Sequence, residues 1–209
     1  MKMALTKQNR VPGRLRRAGL EVSRCWHRLP HPVRHLRVLF LCLAAGMAYG
    51  AETVLPEQHV KSLFLFNFCK YVEWPAASFG SSNAPIVIGL LRDKRLSAEL
   101  VSTVEGKSIG GRPLVVRPLE KDDEISGCHI LYVGVSEKAR LKEILDRAQT
   151  KPLLTVSDIE QFARSGGIIG FIKREDKIRL EIDLEAAHQA GLQISSRLLG
   201  VADAVNRKR

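Results

Sequence analysis

The sequence predicts an α/β protein: a mostly parallel sheet with helices on both faces and an antiparallel C-terminal hairpin edge, a three-layer sandwich. Three observations predict it. Short apolar runs at Ile86–Leu91, 128–133 and 153–156 have the continuous hydrophobic character of strands covered on both sides. Segments with helical apolar spacing separate those runs, as βαβ crossovers require. Residues 168–183 then hold two strand patterns around the polar Arg174-Glu175-Asp176, short enough for a hairpin.

Residues 56–74 form the first predicted helix. Glu57 in its first turn suits the helix dipole. Val60, Leu63, Phe64, Asn67, Tyr71 and Trp74 follow one face, and Leu65, Phe68, Cys69 and Val72 another. A helix apolar nearly all round is either packed centrally in a core or shared with a partner. Pro75 disfavours helical geometry in Trp74 and ends the helix there. After a polar loop at 78–84 comes the strand Ile86–Leu91. Asp93 is placed to cap a helix with Leu96, Leu100, Val101 and Val104 inward. A turn at 105–113 leads to a strand at 114–116, and the acidic stretch 120–127 is irregular. The strand 128–133 follows. Ser136 is the expected cap of a helix with Ala139, Leu141, Ile144, Leu145 and Ala148 inward. The strand 153–156 leads, through Ser157 or Asp158 as cap, to a helical turn ended by Gly166-Gly167. In the hairpin, Ile168, Ile169, Phe171 and Ile172 make one apolar strand. Ile178, Leu180, Ile182 and Leu184 alternate with Arg179, Glu181 and Asp183 in the other. A C-terminal helix is expected to close the chain.

The chain's formal charge of +11 is unevenly distributed. Residues 1–50 hold ten basic residues and one acid, so the leader carries +9 and the remainder only +2. This removes the main support for nucleic-acid binding, which needs a basic face on the folded domain. The basic run precedes the apolar stretch 38–48, and Ala48-Tyr49-Gly50 places small residues two apart before Ala51. A basic n-region, short h-region and small-x-small end define a secretory signal peptide over residues 1–50, with an unusually long n-region. The apolar stretch is short for a membrane span, although a retained anchor is the alternative. Cys42 follows Leu41 rather than a small residue, which argues against a lipoprotein site. Cleavage would leave Cys69 and Cys128 in an oxidising compartment, either bridged or as two buried thiols.

The sequence contains no recognisable catalytic constellation, metal set or cofactor motif. Gly106-Lys107-Ser108 lacks the upstream glycine of a phosphate loop, since position 101 is Val101, and a helix enters rather than leaves it. His59, His129 and His188 have no metal-ligand spacing, and each suits a structural role. Ser195-Ser196-Arg197 has no histidine placed to activate either serine, so a helix start or packing role is expected. Gly166-Gly167-x-x-Gly170 precedes a strand rather than a helix and is read as a tight turn.

Several motifs together resemble a known family. Asn67-Phe68-Cys69-Lys70-Tyr71-Val72-Glu73-Trp74-Pro75, Gly166-Gly167-Ile168-Ile169-Gly170-Phe171, Ile182-Asp183-Leu184 and Ser195-Ser196-Arg197-Leu198-Leu199 are similar to the YfiR family (DUF4154 domain) over residues 54–205. The strand residues Ile86-Val87-Ile88-Gly89 and Gly111-Arg112-Pro113-Leu114 fit the same pattern. Two positions depart from it: Asp183 stands where the family usually has asparagine, and Cys69 where a small residue is common. The resemblance implies a single-domain, non-enzymatic periplasmic regulator without a cofactor. It would bind the periplasmic sensory part of a membrane-bound diguanylate cyclase and hold it inactive, controlling cyclic di-GMP and biofilm formation. An outer-membrane OmpA-like lipoprotein would sequester the regulator, and a homodimer is a further partnership. Phe66, Tyr71, Trp74 and Arg197 are the candidate partner surface. A periplasmic small-ligand sensor is the alternative, and a thiol-based sensor using Cys69 and Cys128 comes last.

Overall fold

The computed structural model describes residues 55–206, apart from the side chains of Asp122 and Asp123. The expected signal peptide therefore lies outside the described residues. In chain order the elements are α1 (Glu57–Tyr71), β1 (Val72–Glu73), β2 (Ile86–Leu91), α2 (Lys94–Val104), β3 (Ser108–Ile109) and β4 (Arg112–Leu119). They continue with β5 (Ile130–Val133), α3 (Leu141–Ala148), β6 (Leu154–Ser157), β7 (Ile169–Arg174) and β8 (Lys177–Asp183). The chain ends in α4 (Leu184–Gln189), β9 (Gln193–Ile194), α5 (Ser196–Leu199) and β10 (Ala204–Asn206).

One mixed sheet has the order β10-β8-β7-β6-β5-β2-β4-β3. Strands β4, β2, β5, β6 and β7 pair parallel, as does β10 with β8. The β7–β8 and β3–β4 pairs are antiparallel. The first crossover runs from β2 to β4 on one side, and the next returns past β2 to β5. Because right-handed crossovers that move in opposite directions land on opposite faces, α2 and α3 cover different sides of the sheet.

The strands divide between two cores by period-two alternation. Ile88, Leu90, Ile130 and Tyr132 pack with Leu65 and Phe68 of α1 and Leu96, Leu100 and Val104 of α2. Leu91, Leu131 and Val133 pack on the other face with Leu141, Ile144, Leu145 and Phe162. The continuous apolar character of these strands follows from burial on both faces. Gly89 interrupts β2 for a steric reason. A Cβ there would lie 2.8 Å from Cys128 Sγ and 2.9 Å from Leu119 Cδ1.

The two cysteines among the described residues, Cys69 and Cys128, are free thiols. Cys69 lies in the α1-side core and Cys128 packs against the other, so the sheet separates them and the disulfide option does not hold here. Burial pushes the Cys69 thiol up to about 12. Burial also raises Cys128, partly offset by Arg117 and Lys151.

Several local expectations change. The first helix stops at Tyr71 because Val72 and Glu73 turn extended and pair with Ile194 and Gln193. Val101 faces solvent at 49% exposure, since the inward stripe runs Leu96, Leu100, Val104 at four-residue steps and leaves it off-axis. Ser136 caps nothing: residues 135–140 form a 3₁₀ turn led by Gly134, and Ala139 is exposed. The expected C-terminal helix is divided. Gly191 has φ +70, which ends α4 and lets β9 reach β1. Short α5 follows, capped by the Ser195 hydroxyl accepting from Arg197 N–H. The hairpin forms as expected, with β10 added along its outer side. Asp183 caps α4, accepting from Ala186 N–H at 2.9 Å.

Candidate functional site

The two ends of the sheet have different chemistry. At the carboxyl end, α1 begins beside the ends of β5 and β6. Lys61, at four-residue spacing from Leu65, is carried inward and is only 2% exposed. A buried ammonium needs charged partners. Its Nζ lies 2.6 Å from Asp158 Oδ2 and 2.5 Å from Glu57 Oε1. Tyr132 donates its hydroxyl to Asp158 Oδ1 at 2.7 Å. Burial is the largest influence on Lys61 and would lower its pKa, but the hydrogen bonds and charges of Asp158 and Glu57 together raise it above 10.5. Burial, then the Asp158 carboxylate, raises the Tyr132 phenol. Every member has a partner, so the group is arranged to tie α1 to β5 and the residue after β6. Alongside it, Ser62 and Thr103 hydroxyls meet at 2.9 Å and His59 Nδ1 lies 2.6 Å from Glu99, joining α1 to α2.

The amino end carries the aromatic and cationic side chains. The last turns of α1, the β1–β9 ribbon, α5 and the loop before β2 meet here. Phe66 is half-buried and carries Lys107 Nζ 4.9 Å from its ring centroid. Tyr71 is half-buried, with Lys70 Nζ 5.3 Å from its ring, and its carbonyl accepts from Ser195 N–H. Arg197 is exposed on α5, two residues beyond that contact. Trp74 donates Nε1–H to the His129 carbonyl at 3.0 Å, an oxygen that also accepts from Leu154 N–H. Phe79 stacks on the His129 ring with centroids 4.5 Å apart, and the Arg112 guanidinium lies over the Phe79 ring, 3.8 Å from its centroid. Arg112 also donates to the carbonyls of Ser81 and Ala84.

The structure thus places Phe66, Tyr71, Trp74 and Arg197 around one end of the domain. Their burial differs. Arg197 is free to the solvent side, Phe66 and Tyr71 offer part of their rings, and Trp74 is anchored to the strand beneath it. Sequence reasoning missed Phe79, Arg112, Lys61, Asp158 and Tyr132 as interacting groups. Lys61 on an otherwise apolar helix face was the available signal for one of them.

Two surface hollows lie elsewhere. One, ≈ 200 Å³, is lined by α3 and α4 residues with Arg164 and Asp183. The other, ≈ 320 Å³, lies beside the β7–β8 hairpin with Arg164 and Arg174. They fall below or at the bottom of the usual size range of small-molecule sites. Among the described residues there is no cluster of three or more His, Cys, Asp or Glu suited to a metal ion. Nor is any of their helices long and apolar enough to cross a membrane.

The fold and its two ends define an open-sheet α/β domain. The chain belongs to the YfiR/HmsC-like family, DUF4154, whose model matches residues 58–203. Membership is consistent with a periplasmic regulator, in a family that is regulatory rather than catalytic. A solved structure of a conserved domain protein from Vibrio cholerae O1 biovar El Tor shares 16% identity, with a TM-score of 0.39. The match covers 57% of this chain and 54% of that one, so the chain spans about half the relative's length. No curated protein matches.

Proposed function

We propose that the chain is exported to the periplasm, binds the periplasmic sensory domain of an inner-membrane diguanylate cyclase and holds that cyclase inactive. Cyclic di-GMP and biofilm formation would then rise when the regulator is withdrawn, for instance by an outer-membrane OmpA-like lipoprotein. The observation that carries this reading is the family match, which spans nearly the whole described domain. The mechanism needs no chemistry on the regulator. Tighter binding to the inactive conformation of the sensor shifts its population. Phe66, Tyr71 and Arg197 supply residue types that dominate protein interfaces, two partly exposed aromatics and an exposed arginine.

The test is capture from detergent-solubilised membranes with the tagged protein, alongside cyclic di-GMP measurement in strains with and without its gene. The proposal expects a membrane-anchored cyclase in the captured fraction and higher cyclic di-GMP in the deletion strain. A folded Phe66→Ala, Arg197→Ala double variant should capture at least tenfold less. Unchanged cyclic di-GMP on deletion, with no cyclase captured, would overturn the reading. Unchanged capture by the double variant would overturn the surface assignment alone.

A further inference from the structure

We propose that His129 is an acid-sensitive latch for the loop of residues 75–85, so that protonating its ring loosens the aromatic end of the domain. The inference goes beyond the partner reading and is tested on the protein alone.

The geometry fixes the ring's protonation state. His129 is 6% exposed, and its Nδ1 accepts from the backbone N–H of Val87 at 3.1 Å. A backbone amide only donates, so Nδ1 must be bare and the neutral ring carries its proton on Nε2. Below the ring, His129 N–H donates to the Val87 carbonyl at 2.8 Å, so the two residues are clamped in register at the start of β2 and β5. Adding a second proton places an Nδ1–H against the Val87 N–H. Two donors cannot bond, and the ring must leave the site or the strand start must open.

The charge also has nowhere to go. Phe79 covers one face of the ring and Trp74 meets it edge-on with centroids 6.1 Å apart. The Arg112 guanidinium, over the Phe79 ring, is the charged group among the described residues that acts on the imidazole, and it repels an imidazolium. The 3₁₀ turn Ala76–Ser78 presents a serine whose backbone carbonyl favours the proton, but Nε2 has no hydrogen bond of good geometry, and Ser78 Oγ is likewise buried and unpaired. Burial first, and Arg112 second, push the His129 pKa below 6.5. The sign follows. The folded state binds this proton more weakly than an open state does, so acid favours opening from 6.5 downward, until the folded-state pKa is passed.

Release of the ring removes the support under Phe79. Phe79 is the residue on which Arg112 stacks while holding the Ser81 and Ala84 carbonyls, so the 75–85 loop loses its contacts together. Trp74 loses its edge-on contact with the ring at the same step, while its bond to the His129 carbonyl no longer has the ring packed beside it.

The experiment uses the full chain carrying Trp26→Phe, which leaves Trp74 as its sole tryptophan. Hydrogen exchange at the Val87 amide, corrected for intrinsic rates, gives the opening constant, and acrylamide quenching reads Trp74. Opening should rise about tenfold per pH unit in the window below 6.5, with quenching rising in parallel. His129→Asn, whose amide oxygen replaces the Nδ1 acceptor without titrating, should abolish that dependence. A flat opening constant, or the same rise in His129→Asn, would overturn the latch. Should His129→Asn fail to fold, NMR titration of the His129 ring in the parent protein decides the matter. Ring protonation and Val87 opening must share one midpoint, and separate midpoints would refute the proposal.

Discussion

Replacing Lys61 with methionine tests what holds α1 to the sheet. The methionine fills the aliphatic stem's space but removes the ammonium that sits 2.6 Å from Asp158 and 2.5 Å from Glu57. Removing one partner of a fully buried pair costs about 3–5 kcal/mol. Two features reduce that here. Asp158 keeps the Tyr132 hydroxyl, and its side chain is 21% exposed, so water partly restores its solvation. Glu57 is 49% exposed and rehydrates freely. About 2–3 kcal/mol therefore remains, which for a domain of this size lowers Tm by roughly 4–12 °C. Urea unfolding followed by far-UV circular dichroism measures it. The Lys61→Met, Asp158→Asn double variant should recover more than about 1 kcal/mol relative to the sum of the single changes, because the orphaned carboxylate is gone. The reasoning is refuted if Lys61→Met unfolds within about 0.5 kcal/mol of the parent, or if the two changes simply add.

Alkaline pH should weaken the same network. Lys61 and Tyr132 both have raised pKa values when folded, so their stabilisation is complete below the unfolded values of 10.5 and 10.0 and is lost as pH rises above them. A urea midpoint that holds steady through that range would count against this. Gly167→Ala should destabilise by about 1–3 kcal/mol, since its Cβ would run into the Phe162 ring. An unchanged thermal midpoint would show that Phe162 moves aside without strain. Asp176→Gly should stabilise by about 0.5–1 kcal/mol, because Glu175 and Asp176 adopt φ +48 and +58 in a two-residue hairpin turn. Any loss of stability in urea would contradict it. In native protein near neutral pH, Cys69 should resist thiol labelling until unfolding, its thiol held near 12. Labelling as fast as a free thiol, followed by mass spectrometry, would refute its burial.

Much of the sheet was legible because its strands are buried on both faces. That burial demands unbroken apolar runs such as Ile86–Leu91, and those runs stand out against polar flanks. Asp93 was legible as a cap because its short acceptor satisfies a backbone N–H only a few residues away, and Ser195 was legible as a helix start or packing residue. The positions of the proposed surface residues in the fold were not legible in the same way. Phe66, Tyr71, Trp74 and Arg197 could be named, but their unequal burial depends on which neighbours arrive from distant segments. Ser136 misled because its segment is set by Gly134, whose Cβ would meet the Leu91 carbonyl at 2.8 Å across the sheet.

The sequence by itself determined the α/β class, the hairpin and the strand runs, since these depend on hydrophobic period, turn residues and caps read over a few neighbouring positions. Tertiary structure decided the rest. It paired β1 with β9, about 120 residues apart in the chain, and laid β10 along β8. It put Cys69 and Cys128 on opposite sides of the sheet. It also brought Lys61 to Asp158 and His129 to Phe79 and Arg112. Those contacts join side chains whose separation along the chain carries no periodic signal, and their energies exist only once the sheet has brought them within hydrogen-bonding or stacking range.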